Sequence, residues 1–311
     1  MPERALREGA GNQEMAAPLW LGGARRVAGV VRRAPKNAFR TAKGAWLQHR
    51  VERGWPRARP TVAAHGLPAP LIVSLTSFPP RFATLAPTLK CLLSQTIGAD
   101  AVVLWIAHDD AGRLPVEVKR LVAHGLAIRM CDDTRSFKKI IPALDAYPDA
   151  FIVTADDDVF YPSDWLEGFV RAYDPTRREI ICRRAHMIRM RADGVPLPYR
   201  AWTYDVAEEL ASPLLFPTGV GGVLFPPHAL NADARDRAAF TRLCPNADDI
   251  WLYWMARRAG CNVRRIGARR AMITWPRSQG FSLQASNATW GGANDAQIAN
   301  MIAHYGFPAA L

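Results

Sequence analysis

The sequence lacks a cysteine pair spaced for a metal or a redox couple, a phosphate-binding loop and an uninterrupted apolar span. Its five cysteines, Cys91, Cys131, Cys182, Cys244 and Cys261, are odd in number and far apart, with no CxxC among them. That argues against a disulfide framework and a structural zinc site, and it fits a reducing compartment. No GxxxxGK[ST] occurs, so a P-loop nucleotidase is excluded. Gly219-Val220-Gly221-Gly222 lacks the GxGxxG spacing of a dinucleotide fingerprint. One uncharged stretch, Leu210 to Ala232, has the length of a membrane span. It is broken by Pro213, Pro217, Pro226 and Pro227 and by Gly219, Gly221 and Gly222. A spanning helix needs ~20 mostly apolar residues with satisfied backbone groups, so this stretch reads as buried loop and strand.

What is present is an asymmetric charge. The chain is 311 residues long, 49% hydrophobic, with a formal charge of +12. Residues 1–60 hold thirteen Arg and Lys against four Glu, most of that excess. The chain therefore divides into a basic lead, 1–65, and a near-neutral domain, 66–311. No apolar run follows the N-terminal charges, so no secretory signal is expected, and the location expected is cytoplasmic. Between Pro18 and Val51, interrupted near Pro35, Phe39, Ala42 and Trp46 recur at helical spacing among Arg and Lys. Basic amphipathic helices of this kind lie on anionic membrane surfaces; an ordinary surface helix is the even alternative. From Trp55 to Pro70 the chain reads as a linker.

From Leu71 onward, short apolar runs alternate with helical patterns. Leu71–Leu75, Ala101–Ala107, Ala127–Cys131 and Phe151–Ala155 read as buried strands. Arg81–Gln95, Val116–His124 and Phe137–Tyr147 read as the helices between them. This alternation predicts an α/β fold with a mixed, mostly parallel sheet flanked by helices. Polar residues follow each strand: Thr76-Ser77, Asp109-Asp110, Asp132-Asp133 and Asp156-Asp157-Asp158. Ligands of open α/β sheets bind beyond the carboxyl ends of the strands, so these four ends are expected to meet at one crevice.

The third acidic end is the most informative. Three consecutive carboxylates repel one another unless a cation sits among them. Mg²⁺ and Mn²⁺ take hard oxygen ligands, commonly one or two carboxylates with substrate phosphates. If the strand continues, Asp156 and Asp158 face the same way, one holding a metal while the other meets a sugar or ribose. A second acidic element, Asn246-Ala247-Asp248-Asp249-Ile250, opens a helix running to Ala259, with Asn246 placed as its cap.

These features resemble the GT-A glycosyltransferases. Asp156-Asp157-Asp158 is similar to their DxD motif. Ala247-Asp248-Asp249-Ile250 is similar to the acidic element of the bacterial family-2-like and exostosin-like enzymes. The resemblance covers about residues 70–305. It implies the GT-A fold, a nucleotide-diphosphate sugar donor (a UDP-sugar is favoured) and Mn²⁺ or Mg²⁺ at Asp158 and Asp156. It implies transfer of a hexosyl or N-acetylhexosaminyl group to a glycan or lipid-linked acceptor, such as a surface polysaccharide. Asp249, or else Asp248, would be the catalytic carboxylate. Thr76, Ser77, Arg81, Asp132, Lys138, Lys139, Asp156 and Asp157 would lie about the donor. Arg184, His186, Gly221 and Gly222 would lie about the acceptor or the sugar. Trp202, Trp275 and Trp290 are candidates to stack on sugars or to fill cores, and Asn294-Asp295 is expected to cap the last helix.

The rival readings are a sugar nucleotidyltransferase and a non-catalytic protein that binds membrane or nucleic acid. The first would carry a Gly-rich basic loop after the first strand, where Thr76-Ser77-Phe78-Pro79-Pro80-Arg81 stands instead. The second lacks a nucleic-acid motif in the near-neutral domain, so no specific nucleic acid is expected.

Overall fold

The structure, a computed structural model, describes residues 38–55, 63–278 and 292–308. The chain divides into two compact units, residues 1–42 and 43–311. Of the first, residues 38–42 are described; they are helical and exposed. The rest of the basic lead before residue 38, together with Trp290, lies outside the described residues. In the second unit residues 43–53 form a helix, here α1 (43–53). There Leu47 is buried, whereas Trp46 is 56% exposed.

Four strands behave as their composition requires. β1 (Leu71–Thr76) pairs in parallel with β2 (Ala101–Ala107) on one side and β4 (Phe151–Ala155) on the other; β3 (Leu126–Cys131) adds beyond β2. Parallel strands covered on both faces read as continuous apolar runs. Because successive side chains point to opposite faces, Ile72, Val103, Trp105 and Ile152 enter one core. Leu71, Val73, Leu75, Leu104 and Val153 enter the other.

The sheet continues past β4 with short strands. β9 (Val223–Phe225) is antiparallel to β4 and to β5 (Glu179–Cys182), β10 (Asn262–Arg265) is parallel to β5, and β7 (Leu210–Ser212) closes the edge antiparallel. Among the described residues the order is β3-β2-β1-β4-β9-β5-β10-β7, with β6 (Ala185–Met187) and β8 (Leu215–Pro217) forming a separate ribbon. The uncharged stretch at 210–232 is thus strand and loop. Among the described residues no helix is long and apolar enough to cross a membrane.

One core holds α2 (Leu85–Leu92), α3 (Val116–Arg120) and α5 (Trp165–Ala172); the other holds α4 (Ile141–Ala146), α6 (Arg237–Leu243), α7 (Asp248–Arg258) and α8 (Ala293–Tyr305). The expected first and third helices each begin as a 3₁₀ turn, Pro79–Thr84 and Arg135–Lys139. Pro79 and Pro80 at the start of the first suit a tight turn, whereas the second opens on Arg135 after Thr134 and holds no proline.

From Ile250 to Ala256 α7 is apolar on all sides and buried, as a central helix must be. Its aromatic residues are fixed by their polar tips. Trp251 Nε1 donates to the Ala234 carbonyl (3.1 Å), Tyr253 OH to the Pro213 carbonyl (2.6 Å) and Trp254 Nε1 to the Gly306 carbonyl (2.9 Å). The helix ends at Gly260, whose φ of 77° needs no side chain. Two expected caps differ. Ala247 occupies the N-cap of α7, because the Asn246 side chain accepts from Arg135 and its N–H donates to Gln297 Oε1. Asp295 Oδ1 accepts instead from the Tyr199 N–H, so its side chain ties α8 to a loop.

Candidate active site

β4 delivers Asp156, Asp157 and Asp158 to the carboxyl end of the parallel strands, but the strand stops at Ala155. The chain then turns, and alternation no longer governs where the carboxylates face. Asp157 and Asp158 share one cation: Arg81 Nη1 lies 2.8 Å from Asp157 Oδ1 and 2.8 Å from Asp158 Oδ2. Ser77 Oγ donates to Asp157 Oδ2 at 2.6 Å. Asp156 faces elsewhere, toward Lys139 Nζ at 3.6 Å. The expectation that Asp156 and Asp158 share a direction is therefore corrected.

Polar anchors that the sequence pattern did not link to the acidic residues hold this turn. Thr88 Oγ1, on α2, donates to the Asp157 carbonyl (3.0 Å) and approaches that of Val159 (3.2 Å), while accepting from Trp275 Nε1 (2.6 Å). The Trp275 N–H donates to the Asp158 carbonyl at 3.0 Å. Tyr161 OH accepts from the Asp156 N–H at 2.8 Å. Trp275 and Trp202 are buried in the two cores, which rules out the stacking role for both.

Lys139 joins the two acidic elements. Its backbone is pinned because Ser74 Oγ, on β1, donates to the Lys139 carbonyl (2.6 Å) while accepting from Trp105 Nε1 on β2 (3.0 Å). Its ammonium reaches Asp248 Oδ2 at 2.9 Å, an ion-pair contact outside hydrogen-bond geometry. Asp248 and Asp249 form the first turn of α7, where acidic side chains suit the helix dipole. The Gly219 N–H donates to Asp249 Oδ1 at 2.9 Å. A Cβ on Gly219 would stand 2.8 Å from Lys139 Nζ and 3.0 Å from Asp249 Oδ1, so the backbone passes against both charges.

Charge decides the electrostatics. Asp156, Asp157, Asp158, Asp248 and Asp249 face Arg81 and Lys139. Burial pushes Asp158 up to about 6, with Asp157 and Asp156 adding to the rise and Arg81 opposing it. Burial, then the neighbouring Asp248, pushes Asp249 up to about 7 against the pull of Lys139. Asp157 is also raised, first by burial, with Arg81 and Ser77 opposing. Lys139 is held charged against its own desolvation by Asp248, Asp156 and Asp249.

The remaining candidates divide by location. Thr76 Oγ1 donates to the Trp105 carbonyl at 2.8 Å. Lys138 pairs with Asp133 at 2.6 Å and Arg237 pairs with Asp132, while Asp110 meets Arg113 at 3.8 Å. The acidic residues at the ends of β2 and β3 thus have ion-pair partners of their own, and in the sheet order β2 and β3 lie progressively outward from β1 and β4. Gly221 and Gly222 adopt φ of 94° and 97°, and a Cβ on Gly222 would meet Trp165 Cζ2 at 2.7 Å. They turn the chain into β9. Arg184 Nη1 donates to Thr218 Oγ1 at 3.0 Å. His186 is buried, accepts the Asp205 N–H at Nδ1 (3.0 Å) and is pushed down to about 4 by burial, with Arg184 adding to the shift.

Among the described residues no three His, Cys, Asp or Glu side chains form a group that holds a metal by themselves. A cation shared with a diphosphate needs only one or two carboxylates. Asp156 fits that need, since its carboxylate is 21% exposed and its ion-pair contact with Lys139 is long. Asp158 supplies the same hard oxygen chemistry but is engaged by Arg81.

No protein-family model matches the sequence, and no curated protein matches it. Among solved structures the chain is similar to the mannosyltransferase PcManGT from Pyrobaculum calidifontis, in complex with GDP-Man and Mn²⁺. The likeness has 16% identity and a TM-score of 0.38, and covers 88% of this chain and 87% of that one. A likeness this distant carries nothing over to the activity of this chain.

Proposed function

We propose that this protein is a metal-dependent glycosyltransferase of the GT-A type, moving a sugar from a nucleotide-diphosphate donor to a hydroxyl acceptor. The observation that carries this reading is the joining of the two acidic elements through Lys139 at the carboxyl end of the parallel strands, with five carboxylates facing two cations. Such a site repels a diphosphate by itself and accepts one together with a divalent cation. Asp156 would hold that cation, with Asp158 joining it once released from Arg81. When bound, it neutralises charge on the departing diphosphate.

Within this reading Asp249 is the general base. The Gly219 N–H fixes one carboxylate oxygen, and a pKa near the working pH suits proton transfer. It takes the proton of the acceptor hydroxyl as that oxygen bonds to the anomeric carbon and the bond from that carbon to the diphosphate oxygen breaks. This role implies inversion at the anomeric carbon. Lys139 keeps Asp248 and Asp156 in register. Arg81 and Ser77 support the acidic turn and stand beside the donor.

A lipid-linked or surface glycan acceptor accords with the exposed side of α1. There Trp46 projects with the Arg50 guanidinium 5.3 Å from its ring centre, beside Lys43 and Arg53. Anionic lipid is the partner this chemistry suits.

Calorimetric titration with UDP, GDP and CMP, with and without Mn²⁺, tests the reading on the wild type and on Asp158→Ala. Metal-dependent binding of one nucleotide, lost in the variant, is expected. A folded protein that binds none of the three overturns it.

A further inference from the structure

Beside the Gly219–Asp249 contact lies a set of side chains that the proposed chemistry leaves unused. Tyr204 is 45% exposed, a large value for an aromatic ring that is nonetheless held. Its hydroxyl donates to the Tyr199 carbonyl at 3.2 Å. Its ring packs 4.5 Å from the His186 ring and edge-on to Tyr199 at 5.6 Å. His186 is itself locked by the Asp205 N–H. The ring therefore loses little freedom when something binds against its open side, which is how a rigid aromatic contributes to recognition.

The route from this ring to the site is continuous. The Asp205 carboxylate lies 3.7 Å from Arg184 Nε, Arg184 Nη1 donates to Thr218 Oγ1, and the next residue, Gly219, donates to Asp249. Tyr199 stands near enough to Asp249 that this carboxylate adds to the rise of its phenol pKa, after burial. Arg184 is 26% exposed, and its guanidinium has five N–H donors, more than Thr218 and Asp205 use. An anchored, half-open aromatic next to a partly open guanidinium suits a pyranose, which presents an apolar C–H face and a rim of hydroxyls.

We infer that Tyr204, backed by Tyr199 and His186 and flanked by Arg184, is a stacking platform for the sugar residue of the acceptor. The inference rests on the glycosyltransferase reading for its biological meaning but not for its test. Saturation-transfer NMR with a panel of methyl glycosides (gluco, galacto, manno and N-acetylglucosamine forms) reads the platform directly. Ring C–H protons of at least one glycoside should receive saturation from the wild type. Tyr204→Ala should weaken that binding roughly three- to tenfold. Tyr204→Phe, which keeps the ring but loses the hydroxyl's bond to the Tyr199 carbonyl, should weaken it less than Tyr204→Ala does, and nucleotide affinity should be equal in all three proteins. Absence of transfer to every glycoside, equal transfer in wild type and Tyr204→Ala, or equal loss in Tyr204→Phe and Tyr204→Ala overturns the platform. Glycoside binding without nucleotide binding overturns the transferase and leaves the platform standing.

Discussion

Lys139 Nζ stands 2.9 Å from Asp248 Oδ2, and both side chains are less than a tenth exposed. Removing one partner of such a pair leaves a buried charge without compensation, at a cost of about 3–5 kcal/mol. Lys139→Met is therefore expected to lose that much in urea unfolding. Lys139→Met combined with Asp248→Leu should recover most of it, since a well-packed apolar pair replaces the ions. A loss below about 1 kcal/mol in the single variant would show that the contact is not what joins the two acidic elements.

Two glycines five residues from the start of β9 or closer should separate chemistry from stability. In Gly219→Ala the new methyl meets Lys139 Nζ and Asp249 Oδ1, so those charges move while the surrounding core stays. Turnover of the donor is expected to fall by about 100-fold, as for a small displacement of reacting groups. In Gly222→Ala the residue must hold a φ of 97°, and its methyl meets Trp165 Cζ2 and, at 3.0 Å, the Thr154 carbonyl. That variant should lose about 1–3 kcal/mol of stability. Chemical unfolding and single-turnover assays on both proteins distinguish the effects.

Acid dependence follows from the carboxylates raised by burial. Asp158 titrates at about 6 and Asp249 at about 7, against 3.8 for an ordinary aspartate. Between those limits the folded chain holds protons that the unfolded chain has lost. The contribution of these two groups to stability is then largest at low pH and declines as pH rises from about 4 toward 7. Asp249→Asn should flatten the upper part of that decline. Unfolding curves collected at half-unit steps of pH make the comparison, and identical slopes in the two proteins would contradict the assignment.

On α1, the exposed ring of Trp46 contributes little to the core, whereas Leu47 beside it is buried. Trp46→Ser is expected to change unfolding free energy by no more than about 0.5 kcal/mol. Flotation with phosphatidylserine vesicles should fall severalfold at the same time. Unchanged flotation would remove α1 from the lipid contact.

Much of this was legible in the residues themselves. Leu71–Leu75 and Phe151–Ala155 are continuous apolar runs, and such runs become covered parallel strands wherever helical patterns separate them. The stop at Gly125 and the end of α7 at Gly260 follow from local backbone preference. The acidic triplet announced a site because three charges at the end of a buried strand need an explanation nearby in space. Other assignments failed where a side chain had two competing partners. Asn246 and Asp295 both suit helix caps, yet Arg135 occupies one and the Tyr199 N–H the other. Thr88 and Trp275 carry no local pattern linking them to the acidic turn, because they come from α2 and from a loop far along the chain.

The sequence by itself determined the alternation of strand and helix, the two-faced burial and the identity of the two acidic elements, since each depends on neighbours within one element. Only the tertiary structure decided that Asp156 faces Lys139 while Asp157 and Asp158 share Arg81, that Gly219 passes against Asp249, and that Tyr204 is anchored yet half open. Those are distances between segments brought together by packing. Electrostatic energy depends on separation and burial rather than on order along the chain.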